Sequence, residues 1–326
     1  MQIKNEIYGD FDISEEVLIE LMDSKAIQRL KGIDQAGYSK VFYVDGRNRF
    51  DHSIGVFLLL RKYGASLDEQ IAGLLHDVSH YAFSHAIDYI LQEGNIDKQD
   101  LQDRSKNKFL LNSDIPQILE KHGYDVDRVA DEENFSMLET SLPDICADRL
   151  DYSLKDMIIL LKKDVEEIRD IISHLKVDDA KKWYFDDVEV GYVFAKYFKE
   201  LNDDHYSGLV SASMFKSIKD FIKCALDKGY IEENDLEKED QYVIDKCLKY
   251  IEKDKELKRF WERMNNKDCF YPDENNYEEI IYCKSRVVDP LCLVNNGLKR
   301  VSEVYKEWGR VIEKETIVKK HYLAAS

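Results

Sequence analysis

At 326 residues the chain can bury one large core or two modest ones, so its size excludes neither an enzyme nor a two-domain protein. A formal net charge of -18 and a pI near 5.0 argue against an extended nucleic-acid surface, which needs clustered Lys and Arg to release phosphate counterions. A local basic pocket stays open to Arg47, Arg49 and Arg149.

Six cysteines, at 146, 224, 247, 269, 283 and 292, show no C-x-x-C spacing and read as reduced core residues. No basic-then-apolar leader opens the chain and no run of about 18 apolar residues occurs, so a soluble, cytoplasmic protein with no membrane span is expected. Only four prolines and 14 glycines, with abundant Leu, Ile, Lys, Glu and Asp, predict a mainly α fold.

Residues 3–12 read as a short extended entry with a turn at Gly9. Ser14 then caps a helix with Val17, Leu18 and Leu21 at helical spacing, and a second helix covers about 25–34. Residues 37–48 suggest a strand-like V-F-Y-V piece and a turn. Asp51 or Ser53 opens the helix that carries His52, and Gly64 closes it. Ser66 caps the next helix, which buries Ile71, Leu74 and Leu75 and ends on His76 and Asp77. Residues 94–108 are polar and read as a surface excursion. Residues 142–162 read as one long helix with Asp148, Tyr152 and Asp156 on one face and Arg149 beside them. Beyond residue 175 the pattern predicts a hairpin around Trp183, Tyr184 and Phe185, helices over 192–201 and 209–228, and a charged helical stretch over 235–265. A strand or hairpin at 277–288 and a last helix with Val301, Val304, Tyr305 and Trp308 complete the chain.

His52, the adjacent pair His76 and Asp77, and the distant Asp148 together offer two imidazoles and two carboxylates. A divalent cation of borderline hardness takes such a set and keeps positions open for water and substrate. A lone histidine on an apolar helix is more often a core residue, so the metal reading rests on all four. An aspartate beside a histidine inside a buried run also needs a partner, which a cation supplies.

The order His, His-Asp, Asp resembles the HD superfamily of metal-dependent phosphohydrolases. Arg49 to Gly55, RFDHSIG, is similar to its R-F-(acidic)-H-S-(aliphatic)-G. Ala72 to Asp77 with Phe83-Ser84-His85 is similar to A-G-L-x-H-D followed by F-S-H, and Asp148 to Tyr152 to D-(basic)-x-D-Y. The set is most similar to the deoxynucleoside triphosphate triphosphohydrolase branch and covers roughly the first half of the chain. It implies an HD-domain helical core over 1–175, followed by an α-rich C-terminal region over 176–326 with small β elements.

The resemblance further implies one divalent metal ion, Mn, Fe, Ni, Zn or Mg, held by His52, His76, Asp77 and Asp148. His80 and His85 fall on histidines at the scissile phosphate, with Asp88 buttressing His85. Arg49 and Arg149 become phosphate cations, and Gln35, Tyr152 and Asp156 sugar contacts. The blander alternatives are solvated histidines, Tyr152 as core and Asp156 as an exposed helix acid.

The implied reaction turns a deoxynucleoside triphosphate into deoxynucleoside and triphosphate, with a homo-oligomer as the assembly. The alternatives are a non-catalytic nucleotide-binding regulator and a phosphatase of another phosphomonoester. The chain also departs from the pattern. Ser79 and Tyr81-Ala82 stand where the family has Gly and a Gly-Pro-like step, and the family's His-Glu pair is replaced by Asp100 to Ser105, leaving Asp103 as a stand-in. No later His-Tyr contact is evident at His205-Tyr206, and Arg286 to Pro290, RVVDP, reads as structural.

Overall fold

A computed structural model describes residues 1–43, 46–91, 94, 101–315 and 318–326, with 101–104 described by their backbone alone. The helix Arg49–Lys62 shows how the sequence builds the centre. Asn48 caps it, its side chain accepting the Asp51 N–H at 2.9 Å, so the helix begins ahead of the Asp51 or Ser53 start the sequence suggests. Gly64, at φ +70, adopts the left-handed conformation just beyond its end. Val56 to Leu60 are all fully buried, so this stretch of the helix is enclosed on every side and central. Each such side chain contributes about 1.5–3 kcal/mol. Against it packs the helix Leu67–Leu75, capped by Ser66, which accepts the Glu69 N–H.

The chain is mainly helical, with sixteen α-helices and three small sheets among the described residues. Strands Leu175–Val177 and Trp183–Phe185 form the expected hairpin. The two aspartates after it make no turn; Asp187 instead caps the helix Val188–Leu201, accepting the Glu189 and Val190 N–H groups. Trp183–Phe185 pairs in parallel with Leu291–Val294, which pairs antiparallel with Gly297–Arg300. The three-stranded sheet sets Val318–Ala325 between Phe270–Pro272 and Glu279–Lys284.

Four local expectations are corrected. Residues 39–42 are a helical turn, Ser39–Phe42, while Val44 of the V-F-Y-V piece lies outside the described residues. The long helix runs only over Ala147–Ile159, because the segment from Leu142 to Cys146, with Pro143 in it, is extended or turned. The polar excursion becomes a helix at Leu101–Leu111, while Asp100 and the Asp103 side chain lie outside the described residues. The charged stretch over 235–265 divides into Asp240–Leu248 and Lys255–Met264.

One buried cluster centres on Arg49–Lys62 and draws on both sides of residue 176, taking in Trp183, Phe194, Val288 and Trp308. A second surrounds the helix Leu209–Asp227 and holds Phe83, Ile87, Phe221 and Leu323. Asp240 pins the second cluster to the first by accepting the Asp34 and Phe83 N–H groups, each at 2.8 Å. Replacing Asp240 by alanine leaves both donors without that acceptor. The expected cost is about 2–3 kcal/mol in a urea titration, and an unchanged midpoint would show that the pin carries no stability.

Candidate metal centre

Three elements bring the four predicted ligands together. His52 sits one turn into Arg49–Lys62, His76 ends Leu67–Leu75 with Asp77 next to it, and Asp148 lies in the first turn of Ala147–Ile159. His52, His76 and Asp148 form a possible metal site, with one ligand atom from each within 4.8 Å of the others. His52 Nε2 lies 2.9 Å from Asp148 Oδ1 and 3.2 Å from His76 Nε2. Asp77 stands at the margin of this group, 3.5 Å from His76 Nε2 and 3.7 Å from His52 Nε2.

The hydrogen bonds behind the two rings fix what their inner nitrogens offer. His76 Nδ1 donates to the Gly73 carbonyl at 2.8 Å, and a carbonyl can only accept. His52 Nδ1 donates to Asp151 Oδ2 at 2.7 Å. Asp151 is fully buried and also accepts from Tyr8 Oη and Lys155 Nζ, each at 2.8 Å. With Nδ1 carrying the hydrogen, each ring keeps Nε2 for a proton or a metal. Two such nitrogens 3.2 Å apart beside the Asp148 carboxylate hold a positive charge between them, and this donor set fits a divalent cation.

Without a cation the surrounding carboxylates favour a proton at this place. Burial alone would lower the His76 pKa, but Asp77 and Asp148 outweigh it and push it up to about 10. Burial is likewise overcome at His52 by Asp148 and Asp151, and its pKa rises. Burial works against ionisation of Asp77 and Asp148. Arg49 and the His76 ring hold Asp77 well below the usual carboxylate range, and hydrogen bonds from His52 and His76 do the same for Asp148. Every group is thus poised to surround a cation.

Gly55 leaves the room that Asp151 takes behind the His52 ring. A Cβ there would lie 2.0 Å from Asp151 Oδ1. Gly55→Ala is therefore expected to displace Asp151, tilt His52 and weaken metal affinity about 10- to 100-fold in a competitive chelator titration, whereas wild-type affinity would contradict this coupling.

A second triplet, Glu139, Cys146 and Asp148, also meets the geometric criterion for a cation. That place is already taken, since Arg149 donates to Glu139 at 3.0 Å and to Cys146 Sγ at 3.1 Å. Arg149 further donates to the carbonyls of Asp144 and Thr140. Its fork therefore serves the loop before Asp148 rather than standing open to a phosphate, because that loop's carbonyls lack strand or helix partners.

The remaining predicted residues line one cleft of about 380 Å³ beside the metal group, except for Asp88. Arg49 reaches Asp77 at 2.8 Å, the Gln35 carbonyl at 2.8 Å and Ser84 Oγ at 3.0 Å. His80 Nε2 lies 3.2 Å from Asp77 Oδ1, and burial, reinforced by Arg49, lowers its pKa to about 4. Burial, then Arg49, His80 and Arg286, lowers that of His85 well below the ordinary value. The His85 Nδ1 is buried without a hydrogen-bond partner, so the expected buttress from Asp88 is not made through that nitrogen. Asp88 is instead buried within the short helix Ser84–Tyr89, off the cleft wall. Phe83 and Ser84 at its start both have positive φ, and the helix packs on Leu209–Asp227.

Tyr152 and Asp156 share the cleft face of Ala147–Ile159. Asp156 is ion-paired with Arg47 and accepts the Tyr206 hydroxyl at 2.9 Å. The ring of Tyr206 meets that of Tyr152 edge-on at 5.5 Å. Tyr206 and His205 belong to the π-turn Asn202–Tyr206, and Arg286 follows the strand Glu279–Lys284. The sequence reading passed over all three as site residues, yet all three line the cleft. No spacing signal links them to Asp148. Asp151 was legible only as the second acidic position of the D-R-L-D-Y motif.

The HD domain family matches residues 49–156, the stretch that holds all four predicted ligands. The chain is 34% identical over 237 residues to a protein named metal-dependent phosphohydrolase cns2 from Cordyceps militaris, covering 71% of this chain and 68% of that one. It is 36% identical over 105 residues to deoxynucleoside triphosphate triphosphohydrolase SAMHD1 of Xenopus laevis, covering 27% of this chain and 16% of that one. In fold it is similar to the crystal structure of a phosphohydrolase from Bacteroides thetaiotaomicron, with a TM-score of 0.70 over 100% of this chain and 99% of that one at 18% identity.

Proposed function

The chain belongs to the HD-domain family of metal-dependent phosphohydrolases, and from that membership we propose that it hydrolyses a nucleotide, with a deoxynucleoside triphosphate as the first substrate to test. The reading is carried by the two Nε2 atoms that lie 3.2 Å apart beside the Asp148 carboxylate. One divalent ion, held by His52, His76, Asp148 and the marginal Asp77, supplies Lewis acidity beside the scissile phosphate when bound. Manganese, iron, nickel, zinc and magnesium all accept this donor set.

The side chains of the cleft divide the remaining work. His85 lines the cleft and its Nδ1 is buried without a hydrogen-bond partner, so its ring is the one to meet a phosphoryl or leaving oxygen. Burial and the neighbouring cations keep His80 and His85 neutral in the free protein. A phosphate dianion offsets those cations, so His85 can hold the proton that the leaving oxygen takes. Arg49 keeps Asp77 ionised and oriented. Arg149 keeps the loop before Asp148 in place, a positioning role rather than a substrate contact.

The deoxynucleotide reading draws support from Gln35, Tyr152 and Asp156 lining the same cleft, and from the partial likeness to the Xenopus laevis triphosphohydrolase. A sugar hydroxyl at Asp156 shares the carboxylate with Arg47 and Tyr206. The test is incubation with Mn²⁺ and a panel of deoxynucleoside triphosphates, nucleoside monophosphates and other phosphomonoesters, with products separated by chromatography. Triphosphate release is the expected result. Inorganic phosphate from monoesters would redirect the reading to a phosphatase, and no product with any metal would overturn the hydrolase assignment at this centre.

A further inference from the structure

Four arginines line the cleft, and three are already engaged by carboxylates: Arg47 by Asp156, Arg49 by Asp77 and Arg149 by Glu139. Arg286 is not. Among the described residues it has no carboxylate partner, and its guanidinium makes one long contact, 3.5 Å to the Lys284 carbonyl. A half-buried guanidinium facing a cleft without an acceptor for its fork is costly, and it is the group that recognises phosphate bidentately. We propose that Arg286 is the cleft's ligand-binding cation, receiving anionic oxygens of the substrate's phosphate group while the metal centre holds the scissile end.

The backbone around Arg286 is built to aim it. Asn202, fully buried where Val188–Leu201 passes into the π-turn, accepts the Arg286 N–H at 2.7 Å and donates to Ser285 Oγ at 2.9 Å. The same π-turn brings Tyr206 to the cleft, so one asparagine anchors segments that supply both a cation and an aromatic ring to its lining. Lys284, two residues earlier, also faces the cleft, as the alternation of an extended segment requires. The charge of Arg286 is felt at His85, Tyr152 and Tyr206, where burial is the larger influence, which places it among groups that flank the metal cluster. Tyr152 in turn lies 6.3 Å from His52, ring centre to ring centre.

This role rests on the phosphohydrolase reading, yet it can be tested separately. Inorganic phosphate is titrated calorimetrically into the metal-loaded wild type, Arg286→Ala and Arg286→Lys, with metal content and melting temperature measured alongside. Since the guanidinium has one long contact, the alanine variant is expected to melt as the wild type does. Its phosphate affinity should fall about 10- to 100-fold at unchanged metal content, with the lysine variant recovering part of the loss as a point charge. With the substrate found by the nucleotide panel, KM should rise by more than kcat falls. Equal phosphate affinity in the wild type and Arg286→Ala, or no phosphate binding by the wild type, would overturn the assignment of Arg286. A wild type that binds phosphate through Arg286 but turns over nothing would overturn the hydrolase reading and leave the clamp standing.

Discussion

Replacing Asp148 by alanine is expected to abolish metal binding and to lower turnover about a thousandfold in the same protein. Asp148 Oδ1 is close to the inner nitrogens of both imidazoles, 2.9 Å from His52 Nε2 and 3.5 Å from His76 Nε2. Without it the two Nε2 atoms keep only Asp77, one oxygen of which already holds Arg49. The fold should persist, since the Asp148 side chain is about a quarter exposed and sits in the first turn of its helix. The stabilisation that Mn²⁺ gives the wild type in a thermal melt should vanish in the variant. Metal analysis after gel filtration, run beside the nucleotide assay, checks both halves. Undiminished hydrolysis by a metal-free variant would remove the cation from the chemistry.

His85→Asn is expected to separate chemistry from metal binding. His85 does not reach the donor group of His52, His76 and Asp148, so metal content should be that of the wild type. Its ring stands edge-on to His80 at 5.2 Å, beside Asp77 and Arg49, where a phosphate bound at the centre would lie. Loss of a positioned proton donor is expected to lower kcat about 10²- to 10⁴-fold with a smaller change in KM. Asparagine keeps a hydrogen-bonding end of similar reach but cannot deliver the proton. A kcat within twofold of the wild type would show that the leaving oxygen takes its proton from elsewhere.

Part of the predicted metal group was legible because its information is local, while the distant Asp148 was joined to it by the family resemblance. His76 and Asp77 are adjacent at the end of a helix whose cap, Ser66, and apolar face can be read from the chain. His52 follows an arginine and precedes Gly55, and the space that glycine clears for Asp151 gives the motif a physical reason. The mainly helical architecture followed from composition and period in the same way. Asp156, Tyr206, Arg47 and Arg286 meet only because separate segments converge, and neither helical nor strand period carries that information.

Other gaps had a local signal that was misread or overlooked. Asp186 and Asp187 look like a turn after W-Y-F, but Asp187 is a helix cap, and the two functions favour the same residue type. The hairpin of Leu291–Val294 and Gly297–Arg300 was marked by Asn295 and Asn296, whose positive φ values of 49 and 66 suit a tight primed turn. The orientation of Arg149 could not be read from the helix face. The carbonyls that claim it belong to the irregular segment before the helix.

The measurement that bears most directly on the cation is anomalous diffraction from crystals grown with Mn²⁺, at wavelengths on either side of the metal edge. A single anomalous peak is expected about 2.0–2.3 Å from His52 Nε2, His76 Nε2 and Asp148 Oδ1, between the two rings. A metal peak on other residues, or no peak in crystals of protein that is active in the same Mn²⁺ buffer, would contradict it.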